Sequence, residues 1–228
     1  MTDASPTLVR IVEAGVHGRC LVEPPPSGRA RHWLVGFHGY AHNAGHMLEM
    51  LRQVSRPPEW LLVSVQALHP FYNRADDVVA NWMTRQDREL AIADNIAYVD
   101  AVIETLAREF GEPGALVFAG FSQGAAMAYR AGVAGRRPGS AILAVAGDVP
   151  PELEPGGGRR WPLVRIVVGA REQWYTAERM NRDVERLKAG AVEVTATTFA
   201  GGHEWTAEVS EAAGALLREI GNRAGLER

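Results

Sequence analysis

The chain contains one cysteine, Cys20, so an internal disulfide is excluded and nothing points to an oxidising compartment. Cys20 stands between Arg19 and Leu21-Val22 in a strand-like stretch, where a packing role is expected rather than a nucleophilic one. No apolar run approaches the ~20 residues needed to cross a bilayer, which argues against stable membrane insertion. Met1 to Pro6 is polar and no long apolar segment follows, so no secretory signal is expected and a cytoplasmic location is the default. A net charge of −3 offers no broad positive surface for nucleic acid or anionic lipid. Repeats, low-complexity tracts and linkers are also missing; Pro155-Gly156-Gly157-Gly158 is only a short flexible loop. With 228 residues, 46% hydrophobic and 22% charged, the chain suits a single domain, 1–228, with a sizeable core.

What is present is an alternation of strands and helices. Leu8 to Ala14 and Val16 to Glu23 flank Gly15 and are expected to form an N-terminal antiparallel hairpin. Buried strands are expected at Trp33 to Phe37, Trp60 to Val65, Ala115 to Ala119, Ala141 to Ala146, Leu163 to Val168 and Val192 to Thr198. Helices are expected from near Asn43 over Met47, Leu48 and Leu51, across Arg85 to Phe110, from Gln123 to Arg130, Thr176 to Ala189 and Glu204 to Arg223. This order implies an α/β fold, a mostly parallel central sheet with helices on both faces. In such a sheet the active site lies beyond the carboxyl ends of the strands. His38-Gly39-Tyr40, Ser122, Glu172 and His203 each follow a predicted strand directly. The segment from His69 to Arg85 is a candidate cap.

Gly120-Phe121-Ser122-Gln123-Gly124 lies between a predicted strand and a predicted helix. Gly-x-Ser-x-Gly in that setting is a nucleophile elbow, a strained turn that projects the serine Oγ from the sheet edge. Serine needs a base to take its proton. His203, in Gly201-Gly202-His203-Glu204-Trp205 after the last strand, is placed to serve, and Ser, acid, His is the chain order of this motif. Two carboxylates compete to orient it: Glu172, after the strand Leu163 to Val168, and Asp148, after the strand before. Asp183 falls inside a helix and is expected to make a surface or capping contact. The oxyanion of a tetrahedral intermediate would meet the backbone N–H groups of Gln123 and Tyr40, so the side chains of those two residues are not expected to matter.

His38, His42 and His46 recur every fourth residue, but Gly39 and the strand end break a common helical face, so no metal site is expected. His69, in a predicted loop, is a candidate pocket residue. Phe71, Trp82, Met83, Trp174 and Trp205 fall in segments expected around the pocket mouth, where several aromatics would favour an apolar acyl or aryl group.

Four segments together resemble the phospholipase/carboxylesterase family of α/β-hydrolases, which includes the acyl-protein thioesterases. They are Phe37-His38-Gly39-Tyr40, Gly120-Phe121-Ser122-Gln123-Gly124-Ala125, the loop from Gly169, and Gly201-Gly202-His203. Trp82 is similar to the family's tryptophan near the pocket. The resemblance implies an α/β-hydrolase fold and a cofactor-independent hydrolase of carboxylic esters or thioesters, with a small-molecule ester substrate. It assigns the nucleophile to Ser122, the base to His203 and the oxyanion donors to Tyr40 and Gln123. The family's acid is usually aspartate in His-Gly-x-x-Asp, whereas this chain has Val168-Gly169-Ala170-Arg171-Glu172, followed by the bulkier Gln173-Trp174-Tyr175. A carboxylesterase is therefore the expected function. The alternatives are a thioesterase or peptidase using the same residues, or an inactive hydrolase fold that binds a partner.

Overall fold

The computed structural model describes residues 7–226; Met1 to Pro6 and the sequence reading made there lie outside the described residues. In chain order the elements are β1 (Arg19–Glu23), β2 (His32–Phe37), α1 (Ala44–Arg52), β3 (Trp60–Gln66), β4 (His69–Tyr72), β5 (Val78–Asn81), α2 (Arg88–Phe110), β6 (Leu116–Phe121), α3 (Gln123–Ala134), β7 (Ala141–Val145), β8 (Leu163–Gly169), α4 (Ala177–Ala189), β9 (Val194–Phe199) and α5 (Ala207–Leu226). Seven strands form one sheet in the order β1-β3-β2-β6-β7-β8-β9. All neighbours run parallel except β1, which is antiparallel to β3.

The central strands are apolar along their whole length because helices cover both faces, as expected for a parallel sheet. Alternate residues divide between two cores. Trp33, Val35 and Phe37 of β2 join Val99, Val102 and Ile103 of α2 and Met127 and Ala128 of α3 on one side. Leu34 joins Met47 and Leu51 of α1 and Val209, Leu216 and Leu217 of α5 on the other. Asn43 starts α1 with a capping box: its side chain accepts from the His46 N–H at 3.1 Å, and His46 Nδ1 accepts from the Asn43 N–H at 3.2 Å. No helix among the described residues is long and apolar enough to cross a membrane.

The N-terminal antiparallel element differs from expectation. The second apolar run does supply an antiparallel edge strand, β1, but its partner is β3, and residues 7–18 form no strand. The Tyr98 hydroxyl donates to the Arg19 carbonyl at 2.7 Å, and its ring lies against Gly18 where a Cβ would stand. The start of β1 is thus covered by a side chain of α2 rather than by the preceding run, and Leu8, Val9, Ile11 and Val12 remain exposed. Cys20 is half-buried against the core, as a packing residue would be, and burial raises its thiol pKa. A hairpin does form elsewhere, between β4 and β5, within the segment read as a possible cap.

α3 crosses the sheet at very close range. A Cβ on Gly124 would land on the Phe37 carbonyl, and one on Gly120 would land on the Gly124 carbonyl. These are backbone neighbours that cannot rotate away, so only glycine fits. Gly124→Ala should therefore lower stability by ~1–3 kcal/mol through overpacking. Urea unfolding should show a lower midpoint at unchanged slope, and an unchanged midpoint would contradict this packing argument.

Candidate active site

Ser122 follows the last residue of β6 and precedes α3, with φ 55 and ψ −122. A non-glycine residue there carries strain of roughly 1–3 kcal/mol, which its surroundings must hold. They do so through the Ser122 N–H, which donates to the Val145 carbonyl at 2.8 Å, and the Ser122 carbonyl, which accepts from the Ala125 N–H at 2.9 Å. The turn sets Oγ beyond the sheet edge, where two further loops converge.

Those loops follow β8 and β9. They are stitched together by the Ala170 N–H to the Phe199 carbonyl and the Arg171 N–H to the Gly201 carbonyl, both 2.8 Å. This brings Glu172 and His203 side by side although they come from different crossovers. Glu172 Oε2 lies 2.6 Å from His203 Nδ1, and His203 Nε2 lies 2.8 Å from Ser122 Oγ. The Glu172 side chain is 0% exposed, and its Oε1 accepts from the Trp174 N–H at 2.8 Å. A carboxylate facing Nδ1 requires the hydrogen on that nitrogen, which leaves the Nε2 lone pair aimed at the serine hydroxyl. The Phe121 ring backs the imidazole with centroids 5.0 Å apart. Asp148, the rival carboxylate, is exposed and pairs with Arg179 at 3.2 Å. Asp183 is more than a surface contact: it is half-buried, accepting from the Tyr175 hydroxyl at 3.0 Å and the Val149 N–H at 2.9 Å.

Gln123 opens α3, so its N–H has no intrahelical acceptor. Tyr40 lies in the turn after β2, its side chain 60% exposed and its ring against Phe71. The expectation that the Gln123 side chain is dispensable does not fit the structure. Its Nε2 donates to Asn81 Oδ1 at 2.8 Å and the Met83 carbonyl at 3.1 Å, while Oε1 accepts from the Trp82 N–H at 3.1 Å. The amide thus uses both ends to clamp the segment after β5 to the elbow.

Trp82 completes this clamp from inside. It is fully buried, its Nε1–H donates to the His38 carbonyl at 2.8 Å, and its own carbonyl accepts from Asn95 Nδ2 at 2.8 Å. His38 is equally buried. Its Nε2 accepts from the Ala67 N–H at 3.1 Å, so the ring hydrogen sits on Nδ1 and is donated to the Gly39 carbonyl at 2.7 Å. His38 is therefore a neutral spacer beneath the Gly39-Tyr40 turn. His42 and His46 stack with centroids 5.1 Å apart, and no group of three or more metal-ligating side chains occurs among the described residues.

A cleft of about 360 Å³ opens over Ser122 and His203. Of the aromatics expected around it, Trp174 lines the cleft and is 73% exposed. Trp82 does not, because its hydrogen bond to His38 and its packing on Phe37 hold it in the core. Phe71 does not, because it lies in the β4–β5 hairpin against Tyr40. Trp205 is half-buried and donates to Ser210 Oγ within its own turn. His69 is exposed at the start of β4 and takes no part in the cleft. Met83 lines the cleft as expected, and the walls also include Tyr175 and four arginines, Arg85, Arg88, Arg130 and Arg179. The signal for one of them was legible: Arg130 is the one charged side chain in the otherwise apolar α3.

His38 gives the site a pH signature. Burial above all, with His42 and His46 adding to it against the bond to Gly39, holds its pKa down to about 4. An unfolded histidine titrates near ~6.5, so below that pH the unfolded chain takes up a proton that the native chain refuses. The contribution of His38 is full above pH ~6.5 and is lost as pH falls toward 4, about 3 kcal/mol across the window. Urea stability of the wild type should fall more steeply over this window than that of His38→Asn. Equal slopes would contradict the assignment.

With this geometry established, comparison places the chain among known proteins. The profile of the family described as Phospholipase/Carboxylesterase matches residues 21–156, more than half the chain. No functionally curated protein is similar in sequence. Among solved structures, esterase PE8 is 23% identical with a TM-score of 0.73, covering 90% of this chain and 100% of its own. Acyl-protein thioesterase 2 from Zea mays is 18% identical with a TM-score of 0.69, covering 90% and 99%. The Bacillus cereus carboxylesterase is 15% identical with a TM-score of 0.70, covering 89% and 94%. At these identities the likeness is one of fold, the α/β-hydrolase fold. The elbow, the strand order and the profile match together establish that this chain belongs to the phospholipase/carboxylesterase family of α/β-hydrolases.

Proposed function

We propose that the protein is a serine hydrolase that cleaves carboxylic esters through an acyl-enzyme. The observation that carries this reading is the unbroken series Glu172, His203, Ser122, with contacts of 2.6 and 2.8 Å at the mouth of the cleft. As Ser122 Oγ attacks the ester carbonyl, His203 Nε2 takes the hydroxyl proton, and buried Glu172 holds the imidazole and stabilises its cationic form. The carbonyl oxygen becomes an oxyanion facing the Gln123 and Tyr40 amides; one such donor is worth ~3–4 kcal/mol of transition-state stabilisation. Collapse expels the alcohol with the proton from His203. Water then repeats the cycle on the acyl-enzyme and releases the acid.

A thioester carbonyl would react by the same route. The shared family and the fold likeness to the maize acyl-protein thioesterase favour it as the second reading. Asp148 is set aside as the acid because its carboxylate is committed to Arg179.

Hydrolysis of short p-nitrophenyl esters and their thioester counterparts tests both readings. Ser122→Ala should lose at least about 10⁴-fold in kcat/KM, and Glu172→Gln about 10²–10⁴-fold, since an amide at that position favours the wrong imidazole tautomer. Full activity in Glu172→Gln with loss in Asp148→Asn would overturn the acid assignment, and full activity in Ser122→Ala would overturn the mechanism.

A further inference from the structure

The cleft beside Ser122 is more cationic than a pocket for an apolar acyl chain requires. Residues Gln123, Ala126 and Arg130 of α3 all line it. Arg130 lies eight residues beyond Ser122, roughly 12 Å along the helix axis. Its side chain is 1% exposed. One carboxylate oxygen, Glu152 Oε1, accepts from its Nε at 2.7 Å. Nη2 is 2.6 Å from that same oxygen without hydrogen-bonding alignment, and Nη1 meets only the Met83 thioether sulfur at 3.7 Å. A buried guanidinium with five donors is thus served by a single oxygen and a sulfur.

Two further arginines stand on the same wall. Arg85 and Arg88 are exposed and form no ion pair or hydrogen bond among the described residues. Arg88 is also the first residue of α2, where a positive side chain opposes the helix dipole. Its field reaches Arg130: burial first, and Arg88 with it, lowers the Arg130 pKa against the pull of Glu152 and Asp148. The fourth arginine, Arg179, is already engaged by Asp148 and the Trp174 carbonyl. The space these arginines share with Ser122 is only about 360 Å³, and Met83 and Ala126 also line it.

We propose that the cleft selects esters bearing a carboxylate a few bonds from the scissile carbonyl, with that carboxylate held by Arg85 and Arg88 and the buried Arg130 adding positive charge behind them. This rests on the esterase reading given above and names its substrate class. Arginine grips a carboxylate through two parallel hydrogen bonds, which gives the contact geometric selectivity as well as charge. A monoanion fits better than a dianionic phosphate, because Asp148 borders the same space and Glu152 already offsets the charge of Arg130.

The test compares monomethyl glutarate with its uncharged isostere, methyl 4-carbamoylbutanoate. Affinity is read by NMR titration of the Ser122→Ala protein, and turnover by pH-stat with the wild type. The charged ester should bind about tenfold more tightly and show a similarly higher kcat/KM. In the Arg85→Gln/Arg88→Gln double variant, whose substitutions lie on the surface, the charged-to-neutral ratio should collapse toward one. Equal binding of the two esters, or a preference that survives the double variant, would overturn the proposal. Hydrolysis of both esters at equal rates refutes the charge selection while leaving the esterase reading standing. Selective binding of the charged ester without turnover of either supports the anion site and refutes the esterase reading.

Discussion

The site depends on one backbone constraint: Ser122 is held at φ 55 and ψ −122, a conformation that a serine adopts only under compulsion. Compulsion comes from crowding on every side. Gly120 lets β6 meet α3 and Gly124 lets α3 meet the backbone of β2 with no room for a methyl group, and Gly147 does the same against the Ser122 carbonyl. Removing that closeness would allow the turn to relax and the hydroxyl to retreat toward the sheet. The same turn places the Gln123 N–H at the free end of α3 and Oγ within 2.8 Å of His203. The position of the Ser122 hydroxyl, its contact with His203 and the free Gln123 N–H are consequences of a single strained residue rather than three separate arrangements.

Around it runs a buried polar framework. Neutral His38, the Trp82 indole, Asn95 and the Gln123 amide form a connected set of hydrogen bonds beneath the turn after β2 and the segment after β5. A buried network of this kind is rigid because breaking any link strands a partner without water. It fixes the floor of the cleft, while the wall farther from Ser122 carries arginines whose donors are only partly used.

Much of this was legible in the sequence. The buried strands are near-continuous apolar runs, and Gly-x-Ser-x-Gly between a strand and a helix has few other uses, so the sheet and the elbow could be read directly. His203 and Glu172 were findable because topology delivers the residues after parallel strands to one edge. The β4–β5 hairpin was not, because His69-Pro70-Phe71-Tyr72 and Val78-Val79-Ala80-Asn81 are short and their turn is built by the Asn73 side chain accepting from the Ala75 and Asp77 N–H groups, each at 2.9 Å. The apolar run Leu8 to Ala14 has the pattern of a strand but pairs with none, and Tyr98 rather than this run meets the start of β1. Trp82 reads as a pocket aromatic until its partner, the His38 carbonyl, is seen. The side-chain role of Gln123 depends on Asn81 to Met83, some 40 positions away in sequence, and that of Arg130 on Glu152 and Met83, which no local pattern reports.

The central claim is that the elbow presents an activated serine. The most direct measurement is labelling with a fluorophosphonate, followed by peptide mass spectrometry and repeated on Glu172→Gln. The account predicts one adduct per chain, on Ser122, forming much more slowly in the variant that cannot hold His203 in place. No adduct, or an adduct on another residue, would contradict it.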